Sequence, residues 1–377
     1  MFTDSVTRRT ARYAFAPGQM LRALQLDGPL LAGLMAIAVI GLFVQYSASG
    51  ESQARLVSQV VRLLLALFAM VLMAHVPPKL LRTWSPWLYL AGLALLAIVL
   101  FAGSAGKGAQ RWIEFAGTRF QPSEVMKLAL PMAMAWYLHE RPLPPTIWPL
   151  FVLCATIIVP TVMIARQPDL GTALLVACAG VFVVLLAGVR KRIIFLLLAL
   201  VLGAIPVLWY SMLDYQRQRV LTFLNPERDP LGTGYHIIQS KIAIGSGGLF
   251  GKGWLNGSQA QLEFLPERST DFIFAVLGEE FGLMGLLVIL ALYLFVIGRG
   301  LYIAVHAQDT FSRLVAGSIT LTFFVYVFVN MGMVSGLLPV VGVPLPLISY
   351  GGTSMVTLMA GFGILMSIQT HRKLLST

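Results

Sequence analysis

The chain has 377 residues, of which 58% are hydrophobic and only 11% charged, with a formal net charge of +11. Soluble domains carry about 25% charged residues, so this balance excludes an ordinary globular protein and indicates an integral membrane protein. The two cysteines, Cys154 and Cys178, lie inside apolar runs, which excludes a disulfide framework and a CxxC metal pair; the dispersed basic residues exclude a nucleic-acid stripe and make membrane lipid their partner.

The first 25 or so residues are basic and polar, with Arg8, Arg9, Arg12 and Arg22, and no cleavable apolar core follows at signal-peptide length. The first apolar run is therefore expected to stay as a span. Runs of about 20 apolar residues cross about 30 Å of hydrocarbon. Such runs predict ten helices, starting near Leu30, Leu56, Trp87, Pro122, Ile147, Leu170, Ile193, Phe272, Leu314 and Ile348. The expected fold class is an all-α integral membrane protein, one polytopic domain over residues 1–377, with one long extracytoplasmic loop, 213–270, between the seventh and eighth helices. A connection of that length, rich in Gly, Pro and charge, is long enough to be functional.

The positive-inside rule places the N-terminus in the cytoplasm, with short loops there holding cations such as Lys79, Arg82, Arg141, Arg190 and Arg313; an even number of spans returns the C-terminus to that side. The opposite side carries Lys107, Arg111, Arg119, Arg217, Arg219, Arg228, Lys241, Lys252 and Arg268.

Ahead of the fourth predicted helix, Gln110-Arg111-Trp112-Ile113-Glu114 and Arg119-Phe120-Gln121-Pro122-Ser123-Glu124-Val125-Met126-Lys127 form a charged constellation. Pro122 suits a first helical position, and Glu124 falls where the helix dipole favours an anion. Glu124 and Lys127 share a face, so a cation points into the apolar layer, either as half of a structural ion pair or as part of a site. Asp169 in QPDLGT is a cap candidate at the start of the sixth helix.

Within the long loop, the run Gly245 to Gly253 resembles a phosphate loop, but Ser246 stands at the required first glycine and Gly253 at the final Ser/Thr. The histidines are scattered singly, without zinc-ligand spacing. At the loop's end, Arg268-Ser269-Thr270-Asp271 leads into the eighth helix. A carboxylate at a membrane entrance is either a functional group or a cap accepting backbone N–H bonds. Glu279 and Glu280 follow in the same helix and read as structural groups near Gly278 and Gly282. The run from Gly336 to Ser354 holds three prolines and four glycines, which cannot form one unbroken helix. Irregular backbone at membrane depth lines a cavity or is buried in protein.

Together, the strings GAQRWIEF, RFQPSEVMK, QPDLGT, LEFLPERSTDFIFAVLGEE and GLLPVVGVPLPLISYGGTS closely resemble the SEDS family of cell-wall polymerases, over essentially the whole chain. The resemblance implies a multi-pass protein of the bacterial plasma membrane with both termini cytoplasmic. It implies polymerisation of lipid II into β-linked glycan strands at the outer face during cell elongation, with a class B penicillin-binding protein and the elongation machinery as partners. By position, Asp271 falls on the family's catalytic motif, and Arg119, Glu124 and Lys127 on its RFQPSExxK motif. Arg111, Arg268 and Ser349 are further substrate-binding candidates, Asp169 and Gln121 are supporting ones, and the loop cations Arg217, Arg219 and Lys252 are candidates for diphosphate. Such a reaction needs a base for the acceptor hydroxyl and cations for the departing diphosphate. An α-linked donor and a β-linked product imply one inverting displacement without a covalent intermediate. Asp271 is either that base or the ligand of a divalent cation; no other cofactor is expected. A lipid II flippase is the alternative, and charges gathered at the external end, without a matched set midway, favour chemistry at the surface.

Overall fold

A computed structural model describes residues 25–106, 109–115, 118–212, 214–225, 233–262, 264–265 and 267–371. Among the described residues, ten helices of 17 or more residues follow the apolar runs. They are α1 (Gly28–Ala48), α2 (Gln53–Ala74), α3 (Pro78–Ala102), α4 (Pro122–His139), α5 (Ile147–Arg166), α6 (Leu170–Leu186) and α7 (Lys191–Ser211), then, after three shorter helices, α11 (Ile273–Val305), α12 (Thr310–Val334) and α13 (Thr353–Thr370). The shorter helices are α8 (Asp214–Leu224), α9 (Thr233–Ser246) and α10 (Ser258–Gln261).

Local chemistry sets the helix starts. Asp27, Ser52, Asp169 and Asp309 each accept a first-turn backbone N–H at the head of α1, α2, α6 and α12, satisfying donors that a helix start leaves unpaired. Pro78 and Pro122 open α3 and α4, where a missing N–H costs nothing.

Seven of the long helices are long and apolar enough to cross a membrane; α6 is apolar but shorter, and α4 carries Glu124 and Lys127. The bundle is apolar outside as well as inside. On α2, Val57, Val61, Leu64, Phe68 and Leu72 are exposed, whereas Leu63, Ala66, Met70 and Ala74 are buried. This is the pattern of a multi-pass membrane protein. Helices α4 and α12 bury residues nearly all round and form its centre. Both described ends lie at one end of the bundle: α1 starts there, and Ser367 near the end of α13 donates to Val76 O in the turn after α2. At that end Arg299 of α11 forks onto Asp27, with Nε–Oδ1 3.0 Å and Nη2–Oδ2 2.6 Å.

The structure departs from the expected elements in four places. Strands β1 (Ser104–Gly106), β2 (Ala109–Phe115) and β3 (Thr118–Phe120) form an antiparallel sheet in the order β1-β2-β3 between α3 and α4, so the fold is nearly, not wholly, helical. Helix α3 starts at Pro78, nine residues before Trp87, and runs through Pro86. Helix α13 starts at Thr353, five residues after Ile348, because residues 335–352 are irregular. The interval 213–270 is a partly helical segment, not a plain loop.

Helix α11 is broken at Gly282, whose φ of 64° is left-handed. The glycine-rich stretch after α9 lies against this break. Lys252 N and Gly253 N donate to Glu279 O and Glu280 O (both 3.0 Å), and Leu283 N and Met284 N donate to Gly248 O (2.9 Å) and Leu249 O (3.1 Å). These bonds satisfy backbone groups that the break releases. A Cβ at Gly247 would collide with Gly278 O, and one at Gly251 with Glu280 O. The glycines allow backbone to touch backbone, which accounts for the phosphate-loop look-alike.

Candidate functional site

Asp271 stands in the turn that feeds α11, whose cap position falls on Phe272. Thr270 N and Phe272 N donate to Glu267 O (3.0 and 3.4 Å), and Thr270 Oγ1 donates to the Glu267 carboxylate (2.8 Å). Distant residues hold the turn as well. Asn330 of α12, fully buried, donates from Nδ2 to both Asp271 O (2.9 Å) and Val343 O (2.7 Å). Buried Ser349 accepts from Leu345 N (2.7 Å) and donates to Thr270 O (2.6 Å), while Tyr350 N donates to Ser269 O (2.8 Å). The irregular segment 335–352 is thereby laid along the turn, and the hydroxyl of Ser349 is committed to that job. A Cβ at Gly342 would stand 3.4 Å from Asp271 Oδ2, so the half-buried carboxylate rests against bare backbone.

A second group sits on α4. Lys127 Nζ lies 2.6 Å from Glu124 Oε1 and also donates to the hydroxyl of Tyr326 on α12; the Lys127 and Glu124 side chains are 6% and 5% exposed. Tyr326 packs with Leu175, Val329 and Val343. Tyr326 and Asn330 are four apart and share a face of α12. One helix therefore presents a hydroxyl to Lys127 and an amide to the backbone of Asp271. Ser123 Oγ and Glu124 Oε2 on α4, with Thr322 Oγ1 and Asn330 Oδ1 on α12, are buried without a hydrogen-bond partner in the protein. About nine in ten buried polar groups are paired, so these two helices keep hydrogen-bonding capacity in reserve.

The third group is centred on Asp169. Its carboxylate accepts from Thr172 N (3.2 Å) and Gln121 Nε2 (2.8 Å) and lies 3.8 Å from Arg111 Nη1, while Arg111 Nη2 donates to Pro168 O. Two residues on, a Cβ at Gly171 would stand 2.8 Å from Val341 O. Segment 335–352 thus touches the Asp271 group at Gly342, the Asp169 group at Val341 and the Lys127 group through Val343 and Tyr326. These three groups, far apart in sequence, meet around one irregular stretch.

Arg119 pairs through its backbone with Glu114 across β2 and β3; its side chain lies outside the described residues, as do Lys107, Arg228 and the side chain of Arg219. Arg268 is half-buried, with Nη2 3.7 Å from where a Cβ at Gly50 would stand. Two loop cations are engaged elsewhere. Lys252 Nζ binds Glu279 Oε1 (2.7 Å) and Ser258 Oγ (2.8 Å), and Arg217 donates to Trp209 O (2.9 Å) and Tyr210 O (2.7 Å) at the end of α7.

Three residues here were missed by sequence reasoning: Arg62, Tyr326 and Asn330. The Arg62 guanidinium of α2 lies 4.1 Å from the Tyr350 ring centroid; Ser58 Oγ is 3.3 Å from Tyr350 Oη, and Gln59 Nε2 donates to Ser349 O (3.3 Å). An arginine inside an apolar run is a functional signal, and Asn330 carries the same signal in weaker form. Tyr326 reads as ordinary core.

Among the described residues, no three His, Cys, Asp or Glu side chains gather as a metal-binding group. Hard divalent cations take about six or more oxygen ligands, so Asp271 alone does not fit a protein-built metal cage. The site offers a carboxylate to accept a proton, a buried ammonium to meet an anion, and side chains that fix both.

Residues 28–374 match the FtsW/RodA/SpoVE family model, described as cell cycle protein. The chain is 53% identical to the peptidoglycan glycosyltransferase MrdB of Escherichia coli (strain K12), over 94% of this chain and 96% of that one. It is 38% identical to a probable peptidoglycan glycosyltransferase FtsW of Geobacter metallireducens, over 90% and 94% of the two chains. Among solved structures, a chain of a peptidoglycan synthase complex that coordinates polymerization and crosslinking superposes with a TM-score of 0.81 at 33% identity, covering 92% of this chain and 99% of that one. The rod shape determining protein RodA of Thermus thermophilus superposes with a TM-score of 0.69 at 29% identity, over 92% and 98%.

Proposed function

The chain belongs to the FtsW/RodA/SpoVE family of cell cycle proteins, and from that membership we propose that it is a peptidoglycan glycosyltransferase of the RodA type, polymerising lipid II at the outer face of the bacterial plasma membrane. The observation that carries this reading is the seating of Asp271: its carboxylate faces the bare backbone of Gly342, and its carbonyl is held by Asn330, one turn from the tyrosine that binds Lys127.

Asp271 is the base that takes the proton from the acceptor sugar hydroxyl as that oxygen attacks the donor's anomeric carbon. Geometry comes first for such a role, and a fixed backbone with a half-buried carboxylate supports it. The diphosphate leaves as a developing anion, and cations already in place stabilise it without reorganising. Lys127 is one such cation, oriented by Glu124 and Tyr326; Arg62 and Arg268 are further ones, and Arg119 joins them on its place in the sequence motif alone. Asp169, Gln121 and Arg111 hold the β2-to-α4 connection against α6 and so act on the site through its backbone. Inversion at the anomeric carbon needs no second nucleophilic carboxylate, and Glu279 is already occupied by Lys252, Ser258 and Gln259.

Both termini are cytoplasmic in this reading, because the charged site groups gather at the bundle end opposite residues 25 and 371. A class B penicillin-binding protein is the transpeptidase partner, a role supported by the likeness to a chain from a complex that couples polymerization to crosslinking.

The test uses the purified chain with its partner, given lipid II, alongside Asp271→Asn. Glycan strands from the unmodified protein and loss of about 10²–10⁴-fold in the variant are expected, the usual range for removing a general base. Equal product from the variant would refute the assignment. Full activity in excess chelator separates the base from a metal ligand at Asp271.

A further inference from the structure

At the bundle end opposite Asp271, a pocket of about 440 Å³ opens between the start of α3 and the last turn of α4, lined by Arg82, Trp136, Tyr137, His139, Glu140 and Arg141. It lies about 25 Å from the start of α4 at about 1.5 Å per residue, so it has no part in the chemistry at Asp271. Neither guanidinium has a carboxylate within ion-pair distance among the described residues. Arg82 Nη1 donates to His139 Nε2, and the Arg141 guanidinium lies 4.0 Å from the Tyr137 ring centroid. Both are thus held by rings, which fix their positions without neutralising them. His139 Nδ1 is buried without a partner in the protein. Two guanidiniums against the one carboxylate of Glu140 leave a single positive charge in the pocket.

We propose that this pocket binds the headgroup of an anionic phospholipid, with Arg82 and Arg141 on its phosphate. Guanidinium forks match phosphate oxygens in pairs, and basic pockets between helices at a membrane surface are where lipid headgroups bind. Volume separates a headgroup from a bare ion: about 440 Å³ falls in the roughly 300–1,000 Å³ range of small-molecule sites. Trp136, 44% exposed on the helix flank, supplies the amphipathic ring that sits at the headgroup level. Glu140 accepts from hydroxyl groups of the headgroup, which a phosphoglycerol presents and a phosphocholine lacks.

The full chain is reconstituted in nanodiscs of phosphatidylcholine doped with phosphatidylglycerol, and retained lipid is read by native mass spectrometry after release. Retention of phosphatidylglycerol above its bulk fraction is expected, falling at least about tenfold in Arg82→Gln/Arg141→Gln, since a single charged hydrogen bond lost is already worth about that factor. Arg82→Lys/Arg141→Lys, which keeps charge but loses the forks, falls between. Lys79→Gln removes an exposed cation one turn away that does not line the pocket, and it leaves retention unchanged. Thermal unfolding of each variant confirms that it is folded. Equal retention in the double Gln variant, an equal loss in Lys79→Gln, or displacement of the lipid by inorganic phosphate at matched ionic strength overturns the proposal, the last by assigning the pocket to the free ion.

Discussion

Among the described residues, two lysine–glutamate pairs lie in this bundle, and they are built in opposite ways. Glu124 and Lys127 belong to one helix, three residues apart, and both are almost wholly buried. Glu279 is also fully buried, but Lys252 comes from a loop 27 residues earlier and stays 30% exposed. The difference lies in what remains unsatisfied. Glu279 receives Lys252 Nζ, Ser258 Oγ (3.1 Å) and Gln259 N (3.1 Å), so its carboxylate has little left to offer. Glu124 leaves Oε2 without a hydrogen-bond partner in the protein, as does Ser123 Oγ one residue earlier. A buried ion pair is weak support for stability as such; one with spare capacity in a site is better read as chemistry, and a saturated one as a latch.

Lys127→Met tests the first half of that contrast and carries the largest expected effect. Stranding the buried Glu124 costs about 3–5 kcal/mol, and losing the cation lowers polymerisation by about 10²-fold or more. Adding Glu124→Gln is expected to restore most of the melting temperature and none of the glycan on a gel, which would separate stability from activity. Recovery of both together would make the two pairs equivalent.

Gly282→Ala and Glu279→Gln attack the latch. At φ 64° and ψ −163°, with Gly251 N and Leu249 packed where a Cβ would go, the alanine costs about 1–3 kcal/mol for backbone alone, plus the shift of the loop. Glu279→Gln costs about 1.5–3 kcal/mol, the range for a hydrogen bond to a charged group. In both, hydrogen exchange should speed up at residues 247–259 and 278–284, with polymerisation reduced far less than in Lys127→Met. Loss of activity matching Lys127→Met would place Glu279 in the site.

Tyr326→Phe removes only the hydroxyl that Lys127 reaches, costing about 1 kcal/mol. It should lower kcat with KM for lipid II little changed, because the lysine keeps its charge but loses a fixed direction. Ser258→Ala, the matching deletion at the latch, is expected to cost about 1 kcal/mol and leave both kinetic constants alone.

The Glu124–Lys127 pair is legible in the amino-acid sequence, since a spacing of three on a helix brings side chains together, and Pro122 locates the helix start. The Lys252–Glu279 pair is not. Lys252 reads as a free loop cation, and the glycines around it look like a failed phosphate loop, because sequence does not show that α11 breaks at Gly282 and takes that backbone into the gap. Ser349 is legible as part of an irregular segment, but the commitment of its hydroxyl to Thr270 O is not. The β1–β3 sheet is hidden for a related reason: β1 and β3 have only three residues each, and in seven-residue β2 Arg111 and Trp112 break the apolar/polar alternation.

By itself the sequence determined the membrane class, the ten helices with eight of their starts within four residues of the observed ones, and the two strings holding Lys127 and Asp271, since hydrophobic run length and short-range spacing are local properties of the chain. Only the tertiary structure decided which polar groups face one another. Asn330 reaches Asp271 from 59 residues away, Tyr350 of the irregular segment meets Arg62 of α2, and Gly342 lies against the carboxylate. Such contacts depend on where helices break and how closely their backbones approach, and inside an apolar bundle each unpaired polar group costs enough to make those few pairings specific.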